Sequence, residues 1–169
     1  YFQFIGSRIR SKCVDFSLTE DQQNIRNAVL KHCSQFSEDY WLERDRSGLY
    51  PMDFQKSMAE AGWLGIAMPE SAGGAGLGIT EAAIMMQAIS ESGAGMTGAS
   101  SVHMPVFGLQ PVSLFGTSEQ CDRMLPPVVQ GKDRVCFAVT EPNTGLDTTK
   151  LKTRAEKRQG GYLVNGEKI

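Results

Sequence analysis

Apolar and polar residues alternate along this chain with two different periods, and the change falls near residue 131. From residue 19 to about residue 125 apolar positions recur every three or four residues, the spacing of one helix face. Thr19 followed by Gln22 has capping-box spacing, with Glu20 and Asp21 in the first turn, where acids favour the helix dipole. Ile25, Val29, Leu30, Cys33 and Phe36 give that helix its apolar face. Pro51 opens a second helix, with Phe54, Met58 and Ala61 on one side and Gly62 as its stop. Thr80 caps a third, whose Ile84, Met85, Ala88 and Ile89 are core candidates, with Met85 and Met86 read as core filling. A fourth helical stretch carries Val112, Leu114 and Phe115 and ends at Gly116. Thr117 or Ser118 then caps a short helix, and Pro126-Pro127 ends the helical half.

After Gly131 the period shortens to two. Residues 134–140 form a short β-prone run, and 151–157 alternate, with Leu151, Thr153 and Ala155 on one side. Gln159-Gly160-Gly161 reads as a turn and Tyr162-Leu163-Val164 as a strand. Asn165-Gly166 is a two-residue hairpin signal, after which Glu167, Lys168 and Ile169 begin a returning strand with no room to finish. The pattern therefore predicts a mainly α chain: a helical domain over 16–131, then the truncated opening of a β-domain over 132–169. No internal repeat or low-complexity segment interrupts it.

Composition narrows the function classes. Of 169 residues, 41% are hydrophobic and 21% charged, as in soluble globular proteins. The net charge of −2, with no Lys/Arg stripe, argues against nucleic acid or an anionic membrane as partner. No apolar run approaches the roughly 18 residues that span a bilayer. Cys13, Cys33, Cys121 and Cys136 are scattered and lack CxxC pairing, so they read as reduced thiols of an intracellular compartment. His32 and His103 lie far from each other and from any cysteine cluster, so no metal site is expected. Residues 1–15 are set outside the fold. Their Arg8, Arg10 and Lys12 fit a basic targeting tail, and Tyr1-Phe2-Gln3 fits a protease-site tag remnant, the reading adopted.

Two stretches stand out chemically. Residues 62–70 (Gly-Trp-Leu-Gly-Ile-Ala-Met-Pro-Glu) lead into a run containing Gly73, Gly74, Gly76 and Gly78. A dinucleotide loop needs GxGxxG after a strand; Gly74 and Gly76 fit, but position 79 is Ile and a helix comes before, so a flexible connection between helices is expected. The second stretch, 136–147, is a β-run ending in Thr140, then Glu141-Pro142, then Asn143, Thr144 and Gly145. Fixed backbone groups and a Thr hydroxyl at a strand end suit a planar ligand with a polar edge. The same residues also read as a plain strand-to-turn exit, with Asn143 and Thr144 bonding locally.

The order of these segments is the stronger signal. Leu18-Thr19-Glu20-Asp21-Gln22 is followed by Gly62-Trp63-Leu64-Gly65-Ile66-Ala67-Met68-Pro69-Glu70 and Gly73-Gly74. Gly116, Leu125-Pro126, Gly131, Ala138-Val139-Thr140-Glu141-Pro142 and 162–169 come after, in that sequence. From about Phe16 onward the chain resembles the acyl-CoA dehydrogenase family. The resemblance implies an N-terminal helical domain and the first strands of a β-barrel-like middle domain. It implies an FAD-dependent oxidoreductase of fatty acid metabolism that converts an acyl-CoA thioester to a 2-enoyl-CoA. Electron-transferring flavoprotein would be the acceptor, and the assembly a homotetramer or dimer. The place would be the cytoplasm of a bacterium, or the mitochondrial matrix or peroxisome of a eukaryote.

The same resemblance assigns residues. Phe137, Ala138, Val139, Thr140, Gly145 and Leu146 match the flavin-contacting segment, with Val139 and Thr140 on the pyrimidine edge and Phe137 by the ring and thioester. Leu146 stands where the family usually has a Ser touching flavin and CoA, so only its backbone is expected to make contact there with cofactor and substrate. His103 falls near the closed end of the acyl cavity, where it would shorten the cavity or meet a polar acyl group; an ordinary core or surface histidine is the reading preferred. Glu70, Glu81, Glu91 and Glu141 match no catalytic base, and Glu141 reads as part of the turn. No catalytic residue is assigned in the chain, so the fragment alone is expected to be inactive. The alternatives are an acyl-CoA oxidase or flavin monooxygenase on the same fold, or a non-catalytic helical interaction module.

Overall fold

The computed structural model describes residues 16–169; the expected tag or targeting remnant at 1–15 lies outside the described residues. Helix α1 (Glu20–Cys33) starts as its sequence requires. The Thr19 hydroxyl accepts the Gln22 amide at 3.2 Å and the Gln22 side chain accepts the Thr19 amide at 3.1 Å, so two orphan donors are satisfied reciprocally. Val29 and Cys33 are its fully buried positions. Helix α2 (Glu38–Ser47) begins on the Ser37 hydroxyl and ends on Gly48 at φ +66°. The sequence periodicity missed it, because Trp41 is the only residue of that charged segment that is fully buried. Helix α3 (Met52–Glu60) follows Pro51 and stops at Gly62, as expected, although Ala61 is exposed. Trp41 and Phe54 meet edge-on with ring centroids 4.9 Å apart, and Phe36 meets Phe54 likewise at 5.1 Å.

Helix α4 (Ile79–Ile89) buries Ile84, Met85, Ala88 and Ile89, as the pattern predicts. Its cap is not Thr80. The Glu81 carboxylate reaches back to the Gly78 amide at 3.1 Å and also accepts from Gln22 of α1, an acid at the positive end of the helix. A π-helical turn (Ser90–Ala94) joins α4 to α5 (Gly95–Phe107), with Gly93 and Gly95 at positive φ making the bend. These helices, with α1 to α3, enclose the main core.

A second core cluster forms where Met68, Ala72 and Leu109 meet Leu125, Val128 and Val129. Helix α6 (Gln110–Phe115) leaves Leu114 and Phe115 exposed, and α7 (Ser118–Val129) starts in a capping box on Thr117. The expectation that Pro126-Pro127 ends the helical half is corrected, since α7 runs on to Val129. The prolines lose two amide donors, but their carbonyls still accept from Gln130 at 3.0 Å and Lys132 at 2.8 Å, and Leu125, Val128 and Val129 anchor the turn in apolar surroundings.

The glycine-rich connection is also not the flexible link expected. Ala75 donates to the Gly65 carbonyl at 2.9 Å, Gly76 to Met68 at 2.8 Å and Leu77 to Ile66 at 3.0 Å, knotting it onto the 3₁₀ turn Trp63–Gly65.

Beyond Gly131 the chain forms an antiparallel pair, β1 (Arg154–Arg158) and β2 (Gly161–Asn165), with Arg158 opposite Gly161 across the expected turn. Two β expectations are corrected. Residues 134–140 are extended but join no ladder, because the described chain offers them no full partner strand. Residues 167–169 are not a hairpin strand on β2. The chain instead returns beside 139–141, where the Ile169 amide donates to the Thr140 carbonyl at 3.1 Å. Among the described residues no helix is long and apolar enough to cross a membrane.

Candidate functional site

Residues 137–146 leave α7 and turn back at Glu141-Pro142-Asn143-Thr144. The turn is closed by two backbone bonds, Glu141 N–H to the Thr144 carbonyl at 2.9 Å and Thr144 N–H to the Glu141 carbonyl at 3.0 Å. Its strongest anchor is the Glu141 carboxylate, only 6% exposed. It accepts from the amides of Lys152 at 2.7 Å and Thr153 at 2.9 Å and from the Lys168 ammonium at 3.0 Å. The Thr153 hydroxyl beside it, those two amides and the Lys168 ammonium hold the carboxyl down at about 2, far below the ordinary carboxylate range. Sequence reasoning placed Glu141 in the turn, correctly, but missed that it ties three segments together. The one signal was an acid directly after a strand end, since its partners lie 11 to 27 residues away.

Lys168 does a second task. Its ammonium also donates to the Val139 carbonyl at 2.9 Å. With Ile169 on the Thr140 carbonyl, both acceptors of this dipeptide are engaged. Its donors are not: among the described residues the amides of Val139 and Thr140 and the Thr140 hydroxyl have no hydrogen-bond partner. Thr140 is exposed and Val139 half-buried. The dipeptide therefore carries unspent donors, while both of its carbonyls are already engaged.

The remaining expected contacts flank that edge. Ala138 is exposed, and Phe137, about half exposed, packs edge-on against Phe107 of α5 at 5.5 Å between centroids. Gly145 faces open space, with nothing within 4 Å of where a Cβ would stand. The Leu146 side chain is fully exposed, and its carbonyl accepts from Thr148 at 3.2 Å. Asp147 then caps the short turn Thr148–Lys150, where bonds from Thr149 and then Lys150 hold its carboxyl below the usual range. His103 is not in this segment. It sits exposed on α5, its ring 4.4 Å from that of Phe107, which in turn touches Phe137.

Two of the acids that match no catalytic base are engaged elsewhere. Glu81 caps α4 and Glu91 pairs with Arg26 at 2.6 Å. Among the described residues no group of three or more His, Cys, Asp or Glu is placed to hold a metal ion.

The family model described as "Acyl-CoA dehydrogenase, N-terminal domain" matches residues 19–132. Isobutyryl-CoA dehydrogenase, mitochondrial, of Dictyostelium discoideum is 31% identical over 151 residues, which are 89% of this chain and 36% of that protein. The crystal structure of an acyl-CoA dehydrogenase from Geobacillus kaustophilus superposes with a TM-score of 0.73 at 26% identity, over 92% of this chain and 40% of that one. The FAD complex of PigA superposes with a TM-score of 0.83 at 26% identity, over 92% and 41%. The chain thus spans about two fifths of the length of the proteins it matches. The helical architecture, the two-stranded start of a β-domain and these matches agree: this chain belongs to the acyl-CoA dehydrogenase family.

Proposed function

We propose that the protein containing this chain is an FAD-dependent acyl-CoA dehydrogenase, and that this chain supplies one edge of the flavin site. The observation that supports it is the donor edge at Val139 and Thr140. The pyrimidine edge of an isoalloxazine ring is rich in acceptors, and a segment with spent carbonyls and unspent amides and hydroxyl is complementary to it. The open space at Gly145 and the half-exposed Phe137 ring leave room for a planar group beside that edge. Bound flavin would supply the hydride acceptor for the Cα–Cβ bond of the thioester.

The contribution of the chain's own residues is electrostatic and positional. Donors fixed in advance favour the negative charge that a reduced ring gathers at its pyrimidine edge, without reorganisation during the reaction. Lys168 and Glu141 hold the donors in place from behind. No acid of this chain is offered as the base that takes the α-proton; that group is assigned outside it. Electron-transferring flavoprotein is the proposed acceptor, and a homo-oligomer the proposed assembly. A bacterial cytoplasm, a mitochondrial matrix or a peroxisome is the proposed location.

Thr140→Ala in the flavin-loaded, full-length protein is expected to slow flavin reduction by acyl-CoA about tenfold or more and to weaken flavin retention, since one stabilising donor is lost. Reduction is read in a stopped-flow spectrometer and retention by absorbance after gel filtration; both unchanged would remove Thr140 from the role assigned. The substrate-reduced wild type is expected to react with dissolved oxygen more slowly than it turns over with a flavoprotein acceptor. Fast reoxidation by oxygen would move the reading to an acyl-CoA oxidase.

A further inference from the structure

The carbonyls of Val139 and Thr140 are both engaged, yet the two bonds are not equivalent. A peptide unit joins the carbonyl of one residue to the amide of the next, so a bond accepted on one side polarises the donor on the other. The Thr140 carbonyl accepts from Ile169 at 3.1 Å, and the amide of the same unit, that of Glu141, is spent on Thr144 at 2.9 Å. The Val139 carbonyl accepts from the Lys168 ammonium at 2.9 Å, and the amide of its unit is that of Thr140. Among the described residues that amide has no hydrogen-bond partner. The first chain of polarised bonds therefore closes inside the turn, and the second ends on a free donor.

The two donors behind these carbonyls also differ in kind. Ile169 offers a neutral amide, whereas Lys168 offers a full charge, and charge-assisted bonds are about twice as strong. Peptide bonds among the described residues are trans, so the Thr140 N–H points away from the ammonium on the far side of its unit. The Lys168 side chain is 28% exposed, and solvent screens its charge only in part. The Glu141 carboxylate at 3.0 Å offsets some of that charge, but the ammonium is the member bonded to the carbonyl. The Val139 amide has no such support, because the Ala138 carbonyl of its unit accepts no bond among the described residues. Of the two free amides, only that of Thr140 is backed by a cation.

We propose that Lys168 is a positioning residue of the flavin site: through the Val139 carbonyl its charge strengthens the Thr140 amide as a donor, and this favours reduced over oxidised flavin. The inference rests on the flavin reading above and adds what sets the redox balance of that site. A stronger donor counts most against the form that gathers negative charge on its pyrimidine edge, which is the reduced one. Lys168 itself needs no contact with flavin or substrate; it acts through one peptide group.

The test measures the two-electron reduction potential of flavin bound to the full-length protein, by equilibration with a reference dye, in the wild type, Lys168→Gln and Lys168→Arg. Glutamine can still donate to the Val139 carbonyl but carries no charge, and arginine keeps both donor and charge. Lys168→Gln is expected to shift the balance about tenfold toward oxidised flavin, which for a two-electron couple is a potential about 30 mV more negative. Lys168→Arg is expected to stay close to the wild type. Where a variant sheds flavin, oxidised and dithionite-reduced flavin are titrated into the flavin-free protein, and the two dissociation constants give the same ratio. A Lys168→Gln ratio equal to that of the wild type overturns the inference, as does equal loss of both forms, the result that a purely structural lysine would give. A shift in Lys168→Arg as large as in Lys168→Gln overturns it too. Each of these outcomes leaves the dehydrogenase reading standing. A wild-type protein that binds neither form of flavin overturns that reading, and the inference with it.

Discussion

Gly74→Ala is expected to destabilise the fold by about 3 kcal/mol or more, seen as a fall in Tm of roughly 6–12 °C for a unit of this size. The cause is a backbone approach that no rotamer can relieve. A Cβ at position 74 would stand 2.6 Å from the carbonyl carbon of Met68 and 2.7 Å from the Gly65 oxygen, with the Met68 oxygen nearer still. Those two oxygens are the acceptors of the Gly76 and Ala75 amides, so the methyl group cannot be housed without opening the bonds that knot the loop. Gly65 is held as tightly, since a Cβ there would meet Val129 Cγ1 at 2.8 Å and the Gly74 Cα at 3.0 Å. The knot presents Met68 and Ala72 to Leu125, Val128 and Val129 of α7. A thermal melt of the variant within about a degree of the wild type would show that the loop yields more easily than this packing implies.

That loop also marks where sequence reasoning ran out. Glycine spacing argued against a dinucleotide loop, which is a statement about local order. It then suggested flexibility, because composition alone does not say which carbonyls lie within reach. The bonds from 75–77 back to 65–68 join groups eight to eleven residues apart, which glycine spacing does not report. Elements with a wide apolar stripe were legible: α1 through Val29 and Cys33, and α4 through Ile84, Met85, Ala88 and Ile89. Helix α2 was not, because a stripe one residue wide gives no period. Caps followed the same division. Thr19 and Thr117 satisfy their own helices within three residues and could be read directly, or nearly so for Thr117. Gly78 has no side chain to announce a cap, and the Glu81 carboxylate three residues on supplies the bond to its amide.

The candidate site was legible as a segment and not as a mechanism of support. Order and spacing carry the resemblance by which 137–146 is expected, and here proposed, to contact flavin. What prepares that segment comes from residues far along the chain: Lys168 on the Val139 carbonyl and Ile169 on the Thr140 carbonyl. The hairpin signal at Asn165-Gly166 predicted pairing with β2, yet the tertiary alternative won. Gly166 packs directly on Thr153, with no room for a side chain, and beyond it the Lys168 ammonium meets the Glu141 carboxylate at 3.0 Å. A buried acid that needs a cation thus decides the path of the last residues more strongly than local turn propensity does.

Glu141→Gln is expected to loosen that support and to remove its dependence on pH. The folded carboxyl sits at about 2 against an ordinary 4.5, so the group binds its proton less readily in the folded chain than in the unfolded one. A depressed value of this kind contributes stability in full above pH 4.5, loses it progressively as pH falls toward 2, and contributes none below that. The loss approaches a tenfold change in the local opening equilibrium per pH unit within the window. Glutamine keeps the size but offers one acceptor oxygen without charge, so it cannot serve the Lys152 and Thr153 amides and the Lys168 ammonium together. At pH 7 the amides of Lys152 and Thr153 are expected to exchange at least tenfold faster with deuterium in the variant. Their protection factors should fall between pH 4.5 and 2 in the wild type and stay level in the variant. Because Lys168 also holds the Val139 carbonyl, the same substitution is expected to lower flavin retention at pH 7, an effect transmitted through Lys168 and not through contact with the ring. Equal protection of the two amides in both proteins at pH 7 would mean that the carboxylate is a passenger in the turn, and that the donor edge is held by its backbone alone.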